Sequence, residues 1–132
     1  MRKLIFLALM GIAMCLNQAK AQDNPDKVYD FTSLEKTPDY PGGINKFYEF
    51  LGREIKYPEA AKKSSTQGKV FASFVVEKNG ALTDVQITRS LTPETDKEAL
   101  RVLNKSPRWN PGLLNGRPVR VKYNINVNFT IK

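Results

Sequence analysis

The sequence predicts an α+β domain of two layers, a three-stranded antiparallel sheet with helices packed on one face. Three observations carry this expectation. In the last segment Val119, Val121, Tyr123, Ile125, Val127, Phe129 and Ile131 are apolar, while Arg120, Lys122, Asn124, Asn126, Asn128 and Thr130 between them are polar. Strict alternation of that kind marks a long half-buried strand. Upstream, residues 68–76 place Val70, Ala72, Phe74 and Val76 on one face and Phe71, Ser73 and Val75 on the other, which suits a central strand. Asn79-Gly80 then closes a hairpin that returns through Val85 and Ile87. On both sides of the hairpin the apolar spacing turns helical.

The chain opens with Arg2 and Lys3, followed by an apolar run of about 13 residues from Leu4 to Leu16 and the small-x-small motif Ala19-Lys20-Ala21. This pattern predicts a cleavable signal peptide over residues 1–21, cut before Gln22. A membrane-spanning helix needs roughly 20 apolar residues, so a retained inner-membrane anchor is the alternative. Acylation at Cys15 is a poorer fit, because Met14 stands where a small residue is expected. Residues 22–40 are polar, contain Pro25 and Pro38 and keep no period. They predict a mobile or loosely docked segment ahead of a domain at 41–132.

Pro41-Gly42-Gly43 is turn chemistry. Ile44, Phe47, Phe50, Leu51 and Ile55 follow at helical spacing, with Ile44, Phe47 and Phe50 expected in the core. Tyr57-Pro58 breaks that helix and starts a short one from Pro58 to about Ser64. After the hairpin, Thr92-Pro93-Glu94 reads as an N-cap, a first-turn proline and an acid at the positive end of a helix. That helix continues through Ala99, Val102 and Leu103 to a stop at Ser106-Pro107. Trp109-Asn110-Pro111-Gly112 and Asn115-Gly116 make the loop that crosses to the last strand, with Trp109 as a core plug beneath it.

Composition narrows the function. Without the leader about 111 residues remain, enough for one domain. Cys15 leaves with the leader and the sequence has no histidine, which excludes the usual zinc sites, Cys or His catalysis and a histidine pH switch. Arg2, Lys3 and Lys20 also leave, so the formal charge falls from +8 to about +5, a mildly basic balance that suits an acidic partner, a peptidoglycan or membrane surface, or simply solubility. Ser33-Leu34-Glu35-Lys36 matches the S-x-x-K pattern, but neither companion motif is present. Glu94, Asp96 and Glu98 sit at a helix start, where capping explains them. The aromatic RNP pattern of an RNA-binding sheet is missing. The expectation is a non-enzymatic protein-binding module with no catalytic residue, no cofactor, no metal and no nucleic-acid partner.

Seven stretches, in this order, resemble the C-terminal domain of TonB in the form found in Bacteroidetes-type bacteria. They are PGG (Pro41 to Gly43), YPEAA (Tyr57 to Ala61), QGKVFASFVV (Gln67 to Val76) and NGALTDVQI (Asn79 to Ile87). EAL (Glu98 to Leu100), PRWNPG (Pro107 to Gly112) and NGRPVRVKYNINVNF (Asn115 to Phe129) complete the set. The resemblance implies a periplasmic domain that binds the TonB box, a short extended segment near the N-terminus of a TonB-dependent outer-membrane transporter. The box pairs as an added strand with the open edge of the domain's final strand.

Carried onto this sequence, the pairing strand is Arg117 to Phe129. Its contact positions are Arg117, Val119, Arg120, Val121, Lys122, Tyr123, Asn124, Ile125, Asn126, Val127 and Asn128, and Lys56, Tyr57 and Pro58 match the family's second contact region. The physics agrees, because an edge strand exposes unpaired N–H and C=O groups that an extended peptide can satisfy. Arg117, Arg120 and Lys122 either attract acidic residues of a partner or protect the edge. Full energy transducers of this family also carry an inner-membrane anchor with a histidine and a long Pro-rich spacer, and they engage inner-membrane proton-motor proteins. Here there is no histidine, and residues 22–40 would reach only about 60 Å at ~3.3 Å per residue. The alternative expectation is an unanchored periplasmic adaptor, pairing with itself as a homodimer or with another periplasmic protein.

Overall fold

In the computed structural model, which describes residues 24–131, the segment with apolar residues on both faces becomes an inner strand of the sheet. The signal peptide and its cleavage site lie outside the described residues. In chain order the elements are β1 (Val28–Tyr29), a 3-10 turn (Phe31–Ser33), α1 (Ile44–Glu54), α2 (Glu59–Lys63), β2 (Gly68–Val76), β3 (Leu82–Arg89), α3 (Pro93–Leu103), β4 (Gly112–Leu114) and β5 (Arg117–Phe129). β5, β2 and β3 form the expected antiparallel sheet, and the fold class is α+β with one helical layer. Two short strands are additional: β1 runs parallel to β5, and β4 pairs antiparallel with the start of β5.

Register explains the core. β5 and β2 pair from Gly68↔Phe129 to Val76↔Val121 without a shift, so Val127, Ile125, Tyr123 and Val121 face the same side as Val70, Ala72, Phe74 and Val76. Phe47, Phe50 and Leu51 of α1, Ala99, Val102 and Leu103 of α3, and Trp109 pack onto that side. Each large apolar side chain taken out of water there contributes about 1.5–3 kcal/mol, so this layer dominates stability. Ile44, expected in the core, is 38% exposed. As the first residue of α1 it lies one turn short of the Phe47, Phe50 and Leu51 contact.

The turns behave as their residues require. Gly80 has φ +86°, and a Cβ there would lie 1.9 Å from the carbonyl oxygen of Trp109. The missing side chain lets the Trp109 N–H donate to the Gly80 carbonyl at 2.8 Å. Thr92 caps α3: its hydroxyl accepts from the Thr95 N–H, while the Thr95 hydroxyl accepts from the Thr92 N–H. Pro58 keeps ψ at 140°, so it is the N-cap of α2 and not its first residue. Asn115 and Gly116, expected within a crossing loop, both have positive φ and turn a β4–β5 hairpin.

The described part of the N-terminal segment meets the sheet and the loop before β4 at a few points. Val28 pairs with Arg120 and Tyr29 with Val121, Lys36 bridges to Leu113, Asp39 bridges to Asn110, and Pro38 is buried. A two-residue strand and isolated bridges need no repeating side-chain pattern, which is why no period announces them.

Candidate peptide-binding edge

Val121 pairs with Val76 on one side and with Tyr29 on the other, so β1 lies on the edge of β5 opposite β2. Past that point, among the described residues, no strand lies beside Lys122 to Phe129 on the same edge. Alternate residues of an antiparallel strand turn their N–H and C=O away from the existing partner, so this run offers a row of main-chain groups. Its length suits an added strand of about five or six residues. Tyr123, Ile125, Val127 and Phe129 face the core, whereas Lys122, Asn124, Asn126 and Asn128 face the side without helices. Burial against Phe74 and Trp109 pushes the Tyr123 hydroxyl above its usual range, with Tyr48 and Asp39 adding to the effect.

The remaining expected positions divide into two groups. Arg117 and Val119 are paired with β4, and Arg120 and Val121 are paired with β1. Arg120 also forks onto Glu77, donating to Oε1 at 2.8 Å and Oε2 at 3.0 Å, and donates to the Asp26 carbonyl at 2.8 Å. The Arg120 hydrogen bonds hold the Glu77 carboxyl below the usual carboxylate range, against the opposing pull of burial and with help from the Thr83 hydroxyl. Arg120 therefore fastens the sheet and the N-terminal segment together. Lys122 is exposed.

The second expected region meets the far end of the edge. The Tyr57 ring lies 5.9 Å from Phe129, edge-on, and its hydroxyl donates to the Thr66 carbonyl. The Lys56 N–H donates to Glu98 Oε2 at 2.5 Å, and Pro58 is half-buried. Arg101 grips the same carboxylate at 2.6 and 2.7 Å and donates to the Glu54 carbonyl at 3.0 Å, so α3 clamps the connection between α1 and α2. Burial raises the Glu98 carboxyl, but Arg101 and the Lys56 amide outweigh it and leave the group below its ordinary value. A groove of about 600 Å³ runs between Gly52, Ile55, Tyr57 and Lys62 on one wall and Asn128 to Ile131 on the other. Sequence reasoning missed Glu77 and Arg101 as supports of the site, and it explained Glu98 as a helix-start acid. The Lys56–Glu98 and Glu77–Arg120 contacts join residues 42 and 43 positions apart, beyond any local spacing signal, whereas Glu98 and Arg101 stand at the i,i+3 spacing of one helix face, a local signal that was available.

The family model for the Gram-negative bacterial TonB protein C-terminal matches residues 53–131, a stretch that contains β2, β3, α3 and all of β5. The chain belongs to this family. Two NMR solution structures of the Helicobacter pylori TonB C-terminal domain are similar in fold. One, of residues 194–285 of that protein, has a TM-score of 0.54 at 19% identity and covers 67% of this chain and 94% of that one. The other, of residues 179–285, has a TM-score of 0.52 at 19% identity and covers 67% and 80%. No curated protein matches the sequence. TonB C-terminal domains are non-enzymatic interaction modules of the cell envelope, on its periplasmic side, and they interact with outer-membrane transporters. No helix among the described residues is long and apolar enough to cross a membrane.

Proposed function

We propose that this TonB-type domain recognises extended, TonB-box-type segments of outer-membrane transporters by strand addition along Lys122–Phe129, and so supports energised transport from the periplasm. The observation behind this reading is the run of β5 that, among the described residues, has no neighbour opposite β2. Each main-chain hydrogen bond an incoming strand makes there is worth about 0.5–1.5 kcal/mol net, so a short segment binds modestly and reversibly. Its alternate side chains meet the core-facing rim at Ile125 and Val127 or the asparagine row at Asn124 and Asn126. The groove beside Tyr57 receives a residue beyond the strand's end. Export through the N-terminal leader delivers the domain to the compartment where those segments hang.

The test is a titration of the protein from Gln22 onward with N-terminal transporter peptides, followed by NMR amide shifts. Shifts concentrated in Lys122 to Phe129 and around Tyr57 are expected. A folded sample whose amides stay still at millimolar peptide would sink the proposal. A second reading uses the same edge differently: two copies pair β5 against β5 as a periplasmic adaptor. The straight register of the edge and the exposure of Ile131 beyond it favour that arrangement. Sedimentation separates the two, since only the second predicts a concentration-dependent dimer without any peptide.

A further inference from the structure

We propose that the chain's own segment Asp26–Ser33 is a resident ligand of the same edge and competes in cis with any strand that docks there. This rests on the reading of β5 as a docking edge. β1 occupies that edge directly, with Val28 beside Arg120 and Tyr29 beside Val121, whose other side pairs with Val76 of β2. The contacts are of the kind an external strand would make. There is main-chain pairing, a 2.8 Å hydrogen bond from Arg120 to the Asp26 carbonyl, and one aromatic anchor, Phe31, whose ring meets Tyr123 edge-on at 4.9 Å.

Asp30 shapes this ligand. Its carboxylate accepts from the Thr32 N–H at 3.1 Å and the Thr32 hydroxyl at 2.7 Å, capping the 3-10 turn that lifts the chain off the edge after Tyr29. Phe31 then comes back over Tyr123, and a strand docked along β5 meets the segment there.

The segment is held lightly compared with the residues that follow it. The β1 ladder is two residues long, and Val28 and Phe31 remain 39% and 38% exposed. By contrast, the stretch after Leu34 is bridged at Lys36 and Asp39 and buries Pro38. Asp26–Ser33 can therefore leave while Lys36 and Asp39 stay in place. A partner long enough to need Arg120 to Tyr123 gains them only in the fraction of molecules whose segment has lifted, and its apparent affinity falls by that fraction. The best competitor is an extended segment with an aromatic residue two positions past its last paired residue, where it replaces Phe31.

The experiment uses the otherwise intact protein carrying Tyr29→Pro and Phe31→Ala, and a synthetic peptide spanning residues 24–33 as the probe. The variant is expected to exchange those of its Arg120 to Tyr123 amides that point away from β2 about tenfold faster than wild type, with the β2 amides unchanged. Added peptide should shift those same amides, and wild type should bind it at least about tenfold more weakly because its site is filled. Phe31→Ala alone, which alters no ladder residue, gives the same comparison if the double variant does not fold. Equal binding to variant and wild type, or no movement at Arg120 to Tyr123 with millimolar peptide, overturns the proposal. No transporter segment takes part, so the result stands whether or not the edge accepts one.

Discussion

The two long edges of this sheet are built to opposite specifications. The β3 edge is bent: its pairing with β2 shifts register twice, and Asp84 sits at φ +49° with its carboxylate accepting from the Gln86 amide at 2.7 Å. Thr83, Asp84, Gln86, Thr88 and Arg89 face water along it, and Asp96 of α3 ties down its end through the Leu91 N–H at 3.1 Å and the Ser90 hydroxyl. Bulges and charges of this kind keep foreign strands away. The β5 edge has an unshifted ladder and no charged side chain from Tyr123 to Phe129. One sheet thus has a blunted edge and a straight, neutral one. A straight, neutral edge is a hazard unless something is meant to occupy it.

That comparison can be broken at its root. Phe74 lies in β2, which serves both edges, and it is 1% exposed against Trp109 and Tyr123. Phe74→Ala is expected to cost about 3–5 kcal/mol in urea unfolding and to weaken both edges alike. A sharper test places proline on each edge in turn. Ile125→Pro should lower peptide affinity about fivefold or more through a lost ladder hydrogen bond of ~1 kcal/mol, whereas Gln86→Pro should leave affinity within about twofold. Circular dichroism establishes that each variant is folded, and equal losses would end the asymmetry.

Smaller effects probe the supports. Thr92→Ala removes the cap of the helix that follows the blunted edge, and should cost about 1 kcal/mol in thermal unfolding with peptide binding unchanged. The smallest effect concerns pH. Glu77 and Glu98 have folded values below the ordinary carboxyl range, so the stability they lend is fully present above that range and is lost as pH falls from it through their lower folded values. Urea midpoints measured from neutral pH downward should therefore fall less steeply in Glu77→Gln than in wild type. An unchanged slope would detach Glu77 from the fastening of Arg120.

Much of this fold was legible because its signals are local. The alternation from Val119 to Phe129, the two-faced apolar pattern of β2, the Asn79-Gly80 turn and the Thr92 cap each depend on neighbours in sequence, and each is found where expected. Trp109 was expected as a plug and is 3% exposed. β1 and β4 left no trace because two- and three-residue strands are too short to alternate. Ile44 misled because helical spacing marks a stripe but not where its contact begins. For the site, alternation identified the strand but could not tell which of its residues already had neighbours. Pairing Arg120 and Val121 with β1 is a tertiary event, as is the Glu77 clamp from 43 residues away, whereas the β4 pairing is a local hairpin whose Asn115-Gly116 signal was taken for a loop.

Trp109 is the sequence's only tryptophan, and its ring lies 5.0 Å from that of Tyr123, which in turn touches Phe31. The molecule therefore carries a single indole two rings away from the segment that pairs with the β5 edge. Lifting Phe31 wets one side of Tyr123 and changes what the indole senses, while the indole itself stays enclosed by Phe47 and Phe74. Occupancy of the edge becomes an optical quantity, readable in native protein without a label.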